Sequence, residues 1–85
     1  MCVLNILQKQ AIDNIEAILK EAGTDLSKII SRRTYFMNIQ EHLGPTGAEW
    51  AKRVGEPFPA ATAIQITCLA LRDALLEIEV VAEIS

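Results

Sequence analysis

The strongest strand signal lies in Gly55–Ala82, which reads GEPFPAATAIQITCLALRDALLEIEVVA. Its two prolines exclude a helix at the start and favour an extended entry. Ala60–Leu69 and Leu75–Ile84 are rich in β-branched and apolar residues with period-two alternation, which is typical of strands. Ala70–Ala74 lies between them and is expected to turn the chain. The pattern therefore predicts that the chain ends in two strands joined as a hairpin.

The first third of the chain predicts a helix followed by a strand. The helix begins near Leu4, ends at Gly23 as a left-handed cap, and carries an apolar stripe at helical spacing. The stripe consists of Ala11, Ile12, Ile15, Ile18, Leu19 and Ala22. Ile29–Met37 is rich in β-branched and aromatic residues and predicts a strand. Its alternation places Arg32 and Arg33 on opposite faces, so neither face is expected to be wholly dry.

A second, shorter helix is predicted just before the two terminal strands. Thr46 and Glu49 have the spacing of a capping box, so the helix should start at Thr46 and run to about Val54. Asn38–Pro45 is then predicted to be a loop, with His42 as a surface histidine. The resulting order is α-β-α-β-β, an α+β fold with a parallel crossover and both helices on one face of the sheet. The other face requires cover, which a second copy of the chain is expected to supply.

Length and composition set limits on partners and location. The 85 residues predict one domain, residues 1–85, which is marginally stable without added burial. The net charge of -3 argues against a nucleic-acid surface, and no apolar run is long enough to span a membrane. Cys2 and Cys68 form no disulfide framework, which indicates reduced thiols and a cytoplasmic location, with Cys68 buried in a strand. With one histidine and no CxxC motif, neither a metal site nor a cofactor is predicted.

Several segments together resemble the RidA/YjgF family, also called endoribonuclease L-PSP-like. Phe58–Ala60 and Glu77–Ala82 are similar to the family's Phe-Pro-Ala-Arg-Ser and (I/V)EIEAIA motifs. Gln10–Ile15 resembles its helix pattern QALDNI, Glu21–Gly23 its EAG, and Ile29–Phe36 its VVKTTVFL-like strand. The resemblance extends over essentially the whole chain, and the combination of motifs at this spacing is specific.

The resemblance implies a chorismate-mutase-like fold and a homotrimer with pockets in the clefts between subunits. For typical members it implies hydrolysis of enamine or imine intermediates to keto acids and ammonia. Some members have been described as ribonucleases or translation inhibitors, but the acidic charge and the absence of a histidine pair give the ribonuclease reading little support.

Two departures from the family pattern affect these expectations. Family chains usually have additional N-terminal strands that complete the pocket, so this domain is expected to be an N-terminally short form. The family's arginine after Phe-Pro-Ala, which clamps the substrate carboxylate, is replaced by Ala61. Members that lack this arginine are expected to lack imine deaminase activity.

The resemblance and the remaining side chains suggest a small set of candidate site residues. Glu77 aligns with the carboxylate that positions the hydrolytic water and is the candidate catalytic base. The candidate ligand-binding residues are Thr62, Ala61, Arg72, Arg33 and Tyr35, with Arg72 or Arg33 as a displaced carboxylate clamp. The alternative is that the carboxylates mark the wet face of a strand and the arginines are solvated.

Three functional hypotheses remain open from the sequence. The first is a non-deaminase family member that binds a small carboxylate or carbonyl metabolite in a cleft between subunits. The second is an enamine/imine deaminase that uses Glu77 and a relocated arginine. The third is a degenerate fragment without a site. Ala61 favours the first over the second.

Overall fold

A computed structural model describes residues 3–55, 58–71 and 73–84, with side chains described from Gln8 onward. The elements are α1 (Val3–Glu21), a 3-10 turn (Leu26–Lys28), β1 (Ile29–Phe36), α2 (Ile39–Arg53), β2 (Ala60–Gln65) and β3 (Leu76–Ala82). The predicted α-β-α-β-β order is confirmed. Gly23 closes α1 with a φ of 87°, the left-handed conformation that glycine adopts without strain. None of the described helices is long and apolar enough to cross a membrane.

The sheet has three strands in the order β2-β1-β3, so the predicted hairpin is wrong. β1 is the central strand, parallel to β2 on one side and antiparallel to β3 on the other. The parallel pairing of β1 and β2 through α2 is as predicted. Residues 66–75 are long enough to carry the chain across to the free edge of β1, where β3 places alternate apolar side chains against the core. Two strands that follow each other in sequence therefore lie on opposite edges of a third.

Helix α2 is longer than predicted and begins at Ile39, with only Met37 and Asn38 between it and β1. Asn38 is its N-cap, because its side-chain oxygen accepts a hydrogen bond from the Glu41 backbone N–H at 3.3 Å. The Asn38 side-chain amide in turn donates to the Glu41 carboxylate at 3.1 Å, a second bond between the N-cap and the first turn of the helix. The predicted loop Asn38–Pro45 is thus mostly helix, with Pro45 inside it. Thr46 is an interior residue whose hydroxyl donates to the His42 carbonyl at 2.8 Å.

The hydrophobic core lies between the two helices and one face of the sheet. Its buried members come from both helices, the 3-10 turn, β1 and the residue after α2, and they are Ile12, Leu19, Leu26, Ile29, Trp50 and Val54. Ile78, Val80 and Ala82 of β3 pack against this cluster. Part of the predicted stripe on α1 is wrong, because Ile18 is 67% exposed.

The other face of the sheet is open in the single chain. Along β3, Glu77, Glu79 and Val81 alternate with the core-facing residues and are exposed. A register shift between Ile29 and Ser31 turns Ile30 away from the core, so the predicted alternation of β1 fails at its first residues. The face of the sheet that packs against the two helices is called the helix side below, and the opposite face is called the open face. The candidate residues of the strands lie on one or the other.

Strand β2 is shorter than predicted because the Gln65 side chain ends it. Gln65 accepts a hydrogen bond from the Ile39 backbone N–H at 2.7 Å and donates to the Met37 carbonyl at 2.7 Å. These bonds tie the end of β2 to the start of α2. Cys68 therefore lies beyond the strand and is exposed, so its predicted burial is wrong.

Candidate functional site

The structure brings four of the predicted site residues together on the open face. Thr62 pairs in register with Arg33, and Arg33 pairs on its other side with Glu79. Tyr35, two residues along β1, pairs in register with Glu77. Because side chains two residues apart share a face, the Thr62–Arg33–Glu79 row across the three strands and the neighbouring Tyr35–Glu77 pair form one polar patch. This patch is called the open-face cluster below and consists of Thr62, Arg33, Tyr35, Glu77 and Glu79.

Arg33 is held in the open-face cluster by weak, solvated contacts. Its Nη1 lies 3.9 Å from a carboxylate oxygen of Glu79, and the two side chains are 57% and 58% exposed. Hydrogen bonding with the Tyr35 side chain, together with the nearby negative charge of Glu79, raises the pKa of Arg33. Exposed ion pairs of this kind contribute little to stability because water screens them. Arg33 can therefore exchange Glu79 for another anion at small cost.

Glu77 is an exposed carboxylate in the single chain. A general base is most effective when burial or a neighbouring charge adjusts its proton affinity to the working pH. The register neighbour of Glu77 on β1 is Tyr35, and the face around them is open to water. Chemistry at Glu77 would require a second surface that covers the open-face cluster.

Ala61 and Arg72 are not part of the open-face cluster. Ala61 pairs in register with Arg32 and lies on the helix side of the sheet. Arg72 lies outside the residues that the structure describes. The candidate set thus separates into a cluster on the open face, one alanine on the opposite face, and one arginine without a described position.

Sequence reasoning missed a cavity on the helix side. It has a volume of about 220 Å³ and lies between β1, β2 and α2. The Arg32 guanidinium carbon lies 4.5 Å from the centre of the Trp50 ring, within cation–π range. Strand alternation puts Arg32 on the same face as Thr34 and Phe36, which are both buried. A charged residue among core positions was the available signal.

A buried polar cluster between α1 and α2 was also missed. Gln8, His42 and Thr46 are at most 4% exposed. The Gln8 amide donates to the Thr46 hydroxyl at 2.9 Å and lies 3.5 Å from the His42 ring nitrogen Nδ1. The predicted surface position of His42 is therefore wrong, because α2 starts earlier than expected and turns this residue inward. Among the described residues, no three side chains of the histidine, cysteine, aspartate or glutamate type gather into a metal-binding group.

Known proteins share this sequence and this arrangement of elements. Residues 6–84 match the family described as endoribonuclease L-PSP. AldR of Lactococcus lactis is 36% identical over 76 residues, which cover 89% of this chain and 59% of that protein. The RutC family protein UK114 of Drosophila melanogaster is 32% identical over 74 residues, which cover 87% of this chain and 52% of that protein. The chain thus spans between half and three fifths of the length of these relatives.

A solved structure agrees with the fold. Rv2704 of Mycobacterium tuberculosis, a member of the YjgF/YER057c/UK114 family, superposes with a TM-score of 0.82 at 27% identity. The match covers 91% of this chain and 64% of that protein. The two helices on a three-stranded mixed sheet are those of the family fold. The chain therefore belongs to the RidA/YjgF family, described as endoribonuclease L-PSP.

Proposed function

We propose that this protein is an oligomeric binding module that takes a small carboxylate or carbonyl metabolite in a cleft between copies and has no deaminase activity. The observation that carries the proposal is the position of Ala61. It stands where the family pattern has its carboxylate-clamping arginine, and its methyl group offers a ligand no charge. The open-face cluster still presents a hydroxyl, a guanidinium, a phenol and carboxylates, which suit recognition better than catalysis.

Oligomerisation is the step that would turn the open-face cluster into a cleft. The face exposes Val81 at 55% beside the polar patch, and a chain of 85 residues gains much from burying such a surface. The family resemblance makes a homotrimer the expected assembly, and the composition makes the cytoplasm the expected location. A partner surface would also exclude water from Arg33 and Glu77, which strengthens their interaction with a bound anion.

One observation favours the alternative, an enamine/imine deaminase. Glu77 and Arg33 lie on the same face, on adjacent strands, so a base and an anion-binding group are close to one another. In this reading Arg33 replaces the missing family arginine and Glu77 positions the attacking water. The alternative requires both residues to act on one ligand inside the covered cleft.

Keto-acid release from an amino-acid-derived imine separates the two readings. The proposal predicts the same release rate with and without the protein. An acceleration that disappears in Glu77→Gln but persists in Glu83→Gln, a matched substitution near the end of the chain, would establish the deaminase instead.

Light scattering tests the assembly independently of activity. The expected mass is three times the 9.4 kDa of one chain. A well-folded species of 9.4 kDa at all concentrations would refute the cleft between copies, whatever the assay shows.

A further inference from the structure

We propose that the cavity between β1, β2 and α2 binds a small monocarboxylate with an apolar body, and that the Arg32 guanidinium holds the carboxylate. The site lies within one chain, on the side of the sheet opposite Glu77 and Arg33. The inference therefore goes beyond the proposed function, since it needs neither the open-face cluster nor contact between copies.

Arg32 differs from the other described arginines in having no acidic partner. Arg53 pairs with Asp13, Glu49 and Glu16 at 2.5, 2.9 and 3.8 Å, and Arg33 pairs with Glu79. No carboxylate among residues 3–55, 58–71 and 73–84 forms an ion pair with Arg32. Its Nη1 is buried without an acceptor in the same part of the chain. An entering carboxylate would supply the missing acceptors and the missing countercharge.

Burial makes this unpaired guanidinium a stronger anion site than Arg33. The surrounding protein lowers the pKa of Arg32 by desolvation, but arginine remains protonated at any physiological pH. The Trp50 ring contacts one face of the guanidinium and is itself 2% exposed. Ion pairs in such partly dry surroundings are screened less than those in water.

The walls of the cavity set the size and polarity of the ligand. Apart from Arg32, three threonines and Gly47, the lining is apolar and consists of Phe36, Leu43, Trp50, Ala61 and Ala63. Ala61 and Ala63 stand in register beside Arg32 and Thr34, and their small side chains leave the space open. A cavity of roughly 150 Å³ can hold benzene. The volume of about 220 Å³ therefore accommodates one ring or a short branched chain together with a carboxylate.

The only tryptophan of the chain, Trp50, lines this cavity and reports binding by its fluorescence. Phenylacetate is the probe, and phenylacetamide is the neutral control of the same shape. We expect saturable quenching by phenylacetate and affinity weaker by about 10–100-fold for phenylacetamide, the range for losing a charge-assisted hydrogen bond. Arg32→Gln should weaken phenylacetate binding by a similar factor.

Two further variants keep the test independent of folding defects. Arg33→Gln changes the same residue type one position away on the opposite face and should bind phenylacetate as the unmodified protein does. Ala61→Leu leaves the guanidinium in place but fills the cavity, and it should abolish quenching while circular dichroism stays unchanged. Binding that survives Arg32→Gln, binding that is equal for the acid and the amide, or no binding at millimolar phenylacetate would each overturn the proposal. Loss of binding in Arg33→Gln alone would assign the ligand to the open face.

Discussion

Arg32 and Arg33 are neighbours in the chain and lie on opposite sides of one strand. Arg32 lies against Trp50 on the helix side, where no described carboxylate pairs with it. Arg33 lies among Tyr35, Glu77 and Glu79 on the open face, where water reaches every partner. The difference teaches that the sheet separates two tasks. The helix side supplies the hydrophobic core and a partly open cavity, whereas the open face supplies solvated polar groups that a second surface could cover.

The two faces should respond differently to loss of a large side chain. Trp50→Ala removes a residue that is 2% exposed from the core, and we expect it to lower the free energy of unfolding by about 3–5 kcal/mol. Val81→Ala on the open face should leave the free energy of unfolding of the dilute chain nearly unchanged. It should lower only the additional stability that association of copies provides at higher protein concentration. Urea denaturation at two protein concentrations measures both effects. Equal losses from the two variants at low concentration would show that the open face belongs to the core of the single chain.

A pair of threonines tests the same contrast for polar groups. Thr46→Val leaves the buried Gln8 amide without its 2.9 Å acceptor, so we expect a loss of about 1–3 kcal/mol. Thr62→Val, the same substitution in the open-face cluster, leaves its neighbours in contact with water and should cost much less. Thermal unfolding monitored by circular dichroism compares the two variants. A Thr46→Val protein as stable as the parent would mean that Gln8 finds another acceptor.

The ion pairs of the two faces should differ in their pH dependence. Hydrogen bonds from Arg53 and then Lys9 hold the pKa of Asp13 below its usual value of 3.8. A lowered folded-state pKa contributes stability above the unfolded value and loses it as pH falls through the folded value. Asp13→Asn should therefore destabilise the protein at pH 7 and become equal to the parent in strong acid. Glu79→Gln should match the parent throughout, because its partner Arg33 is solvated.

This pH series has a clear contrary outcome. If Asp13→Asn and the parent differ by the same amount at pH 7 and in strong acid, the contacts between Asp13 and Arg53 do not depend on charge. If Glu79→Gln shows the stronger pH dependence, the open face is the drier of the two surfaces. Urea midpoints at several pH values are sufficient to decide.

Local periodicity predicted α1, its glycine cap and the approximate locations of the three strands. The α-β-α-β-β order predicted that both helices lie on one face of the sheet. It could not predict which strands pair, because β2 and β3 are adjacent in sequence and only the core contacts of β3 place it beyond β1. The predicted start of α2 was wrong because two residues can act as its N-cap. The spacing of Thr46 and Glu49 predicted a start at Thr46, whereas the helix begins after Asn38, whose side chain accepts from the Glu41 backbone N–H.

The candidate site was partly predictable for a similar reason. The family motifs drew attention to Glu77, Thr62 and Ala61, and strand alternation separated Arg32 from Arg33. The sequence carries no sign that Trp50 of α2 would contact Arg32, because that contact depends on the length and entry of the helix. His42 was misplaced by the same error at the start of α2.

The side-chain Nε–Hε resonances of the arginines compare the two faces most directly. In a nitrogen-15 labelled sample titrated with phenylacetate, the signal of Arg32 should move saturably while that of Arg33 stays in place, with assignments taken from Arg32→Gln and Arg33→Gln. Phenylacetamide should move neither at the same concentration. Movement of Arg33 with Arg32 unchanged would place phenylacetate on the open face and contradict its assignment to the cavity on the helix side.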